Sequence, residues 1–135
     1  MVLSEAAKPA LLANAGAIGW LAAQSTLDLA ISVLSLGEIR KGTELLPDGK
    51  RKERLRAWLQ SQLPEQFEGR VLPIAPDVAL AWGKLASDAH RSGRPLHVVD
   101  GLLLATAEVH GLTVVTRNIE DFRDRGIPVE NPYSR

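Results

Sequence analysis

Three acidic residues in different local settings carry most of the chemical information in this chain. They are Glu38 in Ser35-Leu36-Gly37-Glu38-Ile39-Arg40, Asp100 in His97-Val98-Val99-Asp100-Gly101-Leu102, and Asp121 in Thr116-Arg117-Asn118-Ile119-Glu120-Asp121-Phe122. Two of them interrupt otherwise apolar helical stretches, where a carboxylate is costly to bury without a partner. A divalent cation is one common partner, because hard ions such as magnesium prefer carboxylate and water oxygens. Each acid also has a plainer reading. Glu38 could lie on the exposed face of an amphipathic helix, Asp100 could be a first-turn acid favoured by the helix dipole, and Asp121 could be a solvated loop charge. The case for chemistry rests on whether the three meet.

The surrounding elements decide that. Ala10 to Gln24 is rich in Ala and Leu and predicts a helix beginning just after Pro9. Leu27 to Val33 alternates as a strand does, and Ser32 then caps a helix running to about Leu46, stopped by Pro47-Asp48-Gly49. A helix over 51–67 carries Leu55, Leu59 and Leu63 at helical spacing and is closed by Gly69. Val71 to Ile74 is a short strand, Ala79 to Arg91 a helix broken by Ser92-Gly93-Arg94-Pro95, and Val98 to His110 a helix ending at Gly111. Leu112 to Val115 is a β-branched strand followed by a polar loop at 116–118. Strands alternating with helices imply an α/β fold, a parallel sheet covered on both faces, with sites outside the carboxyl ends of its strands. That edge receives Thr116, Asn118 and Asp121 from the last strand and Glu38 from the helix after the strand at 27–33.

Bulk properties narrow the function classes. The 135 residues, 45% apolar, suit a single domain (1–135) with its own core. The absence of cysteine excludes disulfides, thiolate zinc sites and thiol nucleophiles, and fits a reducing cytoplasm. Met1-Val2-Leu3-Ser4-Glu5 does not read as a secretory signal, and no apolar run is long enough for a bilayer, so no membrane role is expected. Sixteen basic and sixteen acidic residues balance, so any nucleic-acid role must rest on a local site rather than on bulk charge. The basic run Lys50-Arg51-Lys52-Glu53-Arg54-Leu55-Arg56 reads as a solvated helix face. His90, His97 and His110 lack ligand-like spacing, which argues against zinc. Trp20, Trp58 and Trp82 fall on helices and read as core or interface residues. There is no phosphate-binding glycine loop and no nucleophile elbow.

Leu34-Ser35-Leu36-Gly37-Glu38-Ile39-Arg40-Lys41-Gly42, Val99-Asp100-Gly101-Leu102-Leu103-Leu104-Ala105-Thr106-Ala107, Thr116-Arg117-Asn118-Ile119-Glu120-Asp121-Phe122 and the closing Asn131-Pro132-Tyr133 together resemble the PIN-domain family, and within it the VapC-type toxins of bacterial toxin–antitoxin pairs. The resemblance runs in order from Val2 to Tyr133. It implies a three-layer α/β/α fold with a central parallel sheet and a magnesium- or manganese-dependent endoribonuclease. It also implies a homodimer held inactive by a cognate antitoxin. Carried over, Glu38, Asp100 and Asp121 become catalytic, metal-binding carboxylates. Thr116 and Asn118 become hydrogen-bonding residues at the pocket edge, and Arg117 a phosphate or partner contact.

One feature departs from the family. Its members open with a buried central strand ending in Asp-Thr-Asn, and Met1 stands where the third residue of that motif belongs. The first catalytic aspartate and the strand bearing it are therefore expected to be missing. A late start site, a degenerate toxin that binds antitoxin without cleaving, or a strand supplied by a partner would each account for this. Glu5 is not a substitute, because a glutamate already occupies that place in the family pattern. The competing functions are a metal-dependent ribonuclease, a non-catalytic antitoxin-binding module, and a small α/β phosphatase or hydrolase using the same acids.

Overall fold

A computed structural model describes residues 10–12, 29–116 and 118–131. Five parallel strands form one sheet in the order β3-β2-β1-β4-β5. They are β1 (Ala10–Leu12), β2 (Leu29–Ser32), β3 (Val71–Leu72), β4 (Thr113–Val115) and β5 (Val129–Glu130). Between β2 and β3 come α1 (Val33–Glu44), α2 (Lys50–Ala57), a π-helical turn (Trp58–Gln62) and α3 (Leu63–Gln66). Between β3 and β4 come α4 (Pro76–Arg91) and α5 (Val98–His110), and the single-turn α6 (Ile119–Phe122) precedes β5.

The centre of the sheet is held by the short β1, which pairs Leu12 with Ile31 on one side and with Val115 on the other. The helix expected from Ala10 is therefore wrong over Ala10–Leu12; the remainder of that segment lies outside the described residues. Ala-Leu-Leu suits a helix by propensity, but propensity differences among such residues are only tenths of a kcal/mol. The backbone groups of β2 and β4 that face the centre need partners, and a strand supplies them.

Alternation along the strands sorts side chains into two cores. Leu29 and Ile31 of β2 pack with Ile39, Leu63, Phe67 and Val115 on the α1–α3 side. Ala30 and Val114 pack with Val78, Leu85, Leu103 and Leu104 on the α4–α5 side. All four residues of β2 are buried, as expected for a strand covered on both faces. Each fully buried Leu contributes on the order of 1.5–3 kcal/mol. Trp58 and Trp82 pack at the margins of these two cores, in line with the sequence reading, whereas Trp20 lies outside the described residues.

Local chemistry sets the helix ends. The Ser32 hydroxyl accepts a hydrogen bond from Leu34 N at 3.0 Å, capping α1 where expected, a contact worth about 1 kcal/mol. Gly111 takes a left-handed φ of 66° at the end of α5, and Leu112 N returns to Ala107 O at 2.8 Å. Gly101 is required for packing: a Cβ there would lie 2.8 Å from Trp82 Cδ1, so only glycine lets α4 close on the start of α5. Helix α4 starts at Pro76 rather than Ala79, with proline in the first turn. The basic run at 50–56 opens α2 and is more than a solvated face. Lys52 is buried and bonds Asp48 at 3.2 Å, while Arg56 bonds Glu44 across to α1 at 2.7 Å.

Candidate functional site

The parallel sheet delivers three segments to one edge. Ser32 ends β2 and starts α1, so Glu38 stands one and a half turns along α1. Thr116 follows β4 directly, and Asn118 and Asp121 come with α6. Asp100 is in the first turn of α5, whose N-cap is His97. These elements enclose an open cleft of about 790 Å³, lined by Glu38, Lys41, His97, Asp100, Thr116 and Asn118 among others. A smaller cleft of about 370 Å³ adjoins it, shares His97 and Asp100, and is lined also by Asp121. Asp100 thus stands between Glu38 on one side and Asp121 on the other. Arg117 lies outside the described residues.

The electrostatics follow this order. Burial raises the Glu38 carboxyl above its ordinary value and the neighbouring Asp100 raises it further, with Lys41 and His97 opposing. Burial also raises Asp100, Asp121 adds to it, and His97 and Arg125 oppose. Glu38 lies on the exposed side of α1 and Asp100 is half-buried, so the carboxylates face the clefts rather than the core. Thr116 is buried, and its Oγ1 accepts a hydrogen bond from Asn118 N at 3.1 Å. Asn118 Nδ2 in turn donates to Asp121 Oδ2. The two polar residues expected at the pocket edge therefore stand there, bonded within their own loop and fixing Asp121.

The chain matches the PIN domain family over residues 13–127. The chain belongs to the PIN-domain family, among its VapC-type toxins. It is 33% identical over 132 residues to "Toxin FitB" of Neisseria gonorrhoeae, covering 98% of this chain and 94% of that protein. It is 32% identical over 116 residues to "VapC ribonuclease Y4jK" of Sinorhizobium fredii, covering 86% and 83%. The crystal structure of FitAcB from Neisseria gonorrhoeae superposes with a TM-score of 0.82 at 31% identity, covering 93% of this chain and 99% of that one.

A PIN domain of this type raises the question of a divalent cation. The donor set suits one: Glu38 and Asp100 have raised pKa values, each in part because of a neighbouring acid, and carboxylate oxygens are hard ligands. Among the described residues no three His, Asp or Glu side chains form a ready-made cage. Between Glu5 and Asp28 the sequence has no acidic residue.

Sequence reasoning passed over three residues of this PIN domain site. Lys41 lies one turn beyond Glu38 and His97 one turn before Asp100, so both were legible from helical spacing. Spacing among the histidines, which tests only for a shared metal, does not reveal the place of His97 beside Asp100. Arg125 faces Asp100 and Asp121 from a loop, and nothing in its local sequence signals this.

Proposed function

We propose that this PIN domain is a divalent-metal-dependent endoribonuclease toxin that hydrolyses RNA phosphodiester bonds and is neutralised by a cognate antitoxin. The observation that carries the reading is the single cleft in which Glu38 and Asp100 stand together, at raised pKa, beside Thr116 and Asn118. Glu38 and Asp100 would hold the cation, Mg²⁺ or Mn²⁺, with Asp121 at the adjoining edge. A bound cation lowers the pKa of water and offsets charge building on phosphoryl oxygens. Asn118 keeps the Asp121 carboxylate oriented, and the buried Thr116 hydroxyl holds Asn118 in place. Lys41 and His97 line the same cleft, where the lysine supplies positive charge for phosphates. No side-chain nucleophile is required. A homodimer acting in the cytoplasm, where RNA and antitoxin meet, completes the reading, and the toxin and ribonuclease names of FitB and Y4jK support it. Among the described residues no helix is long and apolar enough to cross a membrane.

The test is cleavage of single-stranded RNA by the purified chain with and without Mg²⁺ or Mn²⁺, alongside Asp100→Asn. Metal-dependent cleavage by the wild type, lost in the variant, is the expected result. One observation favours a second reading, a PIN module that binds antitoxin without cleaving: the acid-free sequence between Glu5 and Asp28. Tight antitoxin binding with no cleavage at any metal concentration would establish it.

A further inference from the structure

Asp100 and Asp121 come from different elements, and a pair of arginines outside both helices ties the adjoining segments together. Arg94, in the turn between α4 and α5, donates through Nη1 to Arg123 O and through Nη2 to Glu120 O, each at 2.5 Å, closing the end of α6. Arg125, beyond α6, reaches back in the opposite direction. Its Nη1 donates to Arg94 O at 3.3 Å and its Nη2 to Pro95 O at 3.2 Å, while its Nε holds Asp121 O at 3.1 Å. Each arginine thus grips the main chain of the other's segment, and four of the five bonds span 26 to 31 residues of sequence.

The arrangement is not electrostatically cheap. Burial and the neighbouring Arg94 both lower the Arg125 pKa, opposed by Asp121 and Asp100. Two guanidiniums are kept close, and all of these donors are spent on carbonyl oxygens rather than on carboxylates. These arginine donors bond neither the Asp100 nor the Asp121 carboxylate, the latter held at Oδ2 by Asn118, while Arg125 still lends both acids positive charge through space. A simple structural staple would not need that second property.

We propose that Arg94 and Arg125 form a reciprocal clasp that positions Asp121 against Asp100, making both arginines positioning residues for the divalent-cation site. This rests on the cation-dependent reading above. The planar fork is the essential feature, since a lysine keeps the charge but cannot span two carbonyls in fixed geometry. Groups that orient metal ligands from behind commonly change affinity by 10–100-fold when altered.

The experiment is a calorimetric titration of Mn²⁺ into the wild type, Arg94→Lys, Arg125→Lys and a control, Arg70→Lys. Arg70 likewise donates to main-chain carbonyls, those of Leu29 and Gln66, but it lines neither cleft. The clasp variants are expected to lose about ten-fold or more in Mn²⁺ affinity. Arg70→Lys, even with a comparable fall in Tm, keeps wild-type affinity. Adding Asp121→Asn to Arg125→Lys should cost little beyond either change alone, because both act through one carboxylate. Unchanged Mn²⁺ affinity in both clasp variants, or full additivity with Asp121→Asn, overturns the clasp. A wild type that binds no Mn²⁺ instead overturns the cation-dependent reading on which the clasp rests.

Discussion

Glu38 and Glu44 lie six residues apart on the same helix and meet opposite fates. Glu44 is gripped by Arg56 through Nη2 at 2.7 Å and Nε at 3.1 Å, and by Arg40 Nε at 3.0 Å, which together hold its carboxyl down to about 2. It ties α1 to α2. Glu38 faces Asp100 instead, and its carboxyl is raised by burial and by that second acid. The chain has arginines to spare around Glu44 and sets none on Glu38 among the described residues. The difference separates a carboxylate used for architecture from one kept open for a ligand. Repulsion tolerated in the folded protein is the expected mark of a site completed by a cation.

The sharpest break between the two glutamates should be in catalysis. Glu38→Gln is expected to lower the RNA cleavage rate by roughly 10²–10³-fold, equivalent to about 3–4 kcal/mol of lost transition-state stabilisation. Glu44→Gln, measured in the same assay at a temperature where both fold, should leave the rate close to wild type. Equal losses would erase the distinction. Stability should divide them the other way. Because the folded-state pKa of Glu44 is depressed, its contribution is present above the unfolded value of 4.5 and lost as pH falls from there toward 2. Thermal melts should therefore show Glu44→Gln less stable than wild type at pH 7, with the gap closing in that acidic window. The smallest effect has the opposite sign. Glu38 has a raised folded-state pKa, so its ionised form disfavours folding, and the cost appears as pH rises above 4.5. Glu38→Gln should raise Tm at pH 7 by about 1–3 °C and make no difference once both are protonated below about pH 4.

Much of this was legible in the sequence because the signals were local. The Ser32 cap, the span Val98–His110 and the helix end at Gly111 are set by residues within one turn of each other, and the structure places them as expected. The three acids and the edge residues Thr116 and Asn118 could be read from motif order, and Glu38, Asp100, Thr116 and Asn118 line one cleft. What escaped depends on distant partners. Ala10–Leu12 is a strand because two strands flank its slot, not because of its own composition. The turn of α6 and the two residues of β5 are too short to leave a periodic signal. Arg94 and Arg125 look like ordinary loop charges until the fold brings their segments together.

The claim that the open acids are kept for a cation is tested most directly by melting the protein across a range of Mn²⁺ concentrations. A cation that binds only the folded state stabilises it by about 2.7 kcal/mol at a hundred times its Kd. The wild type and Glu44→Gln should gain Tm steadily with Mn²⁺, whereas Asp100→Asn should start above wild type in metal-free buffer at pH 7 and gain nothing. A wild type indifferent to Mn²⁺, or an Asp100→Asn variant that responds equally, would contradict the account.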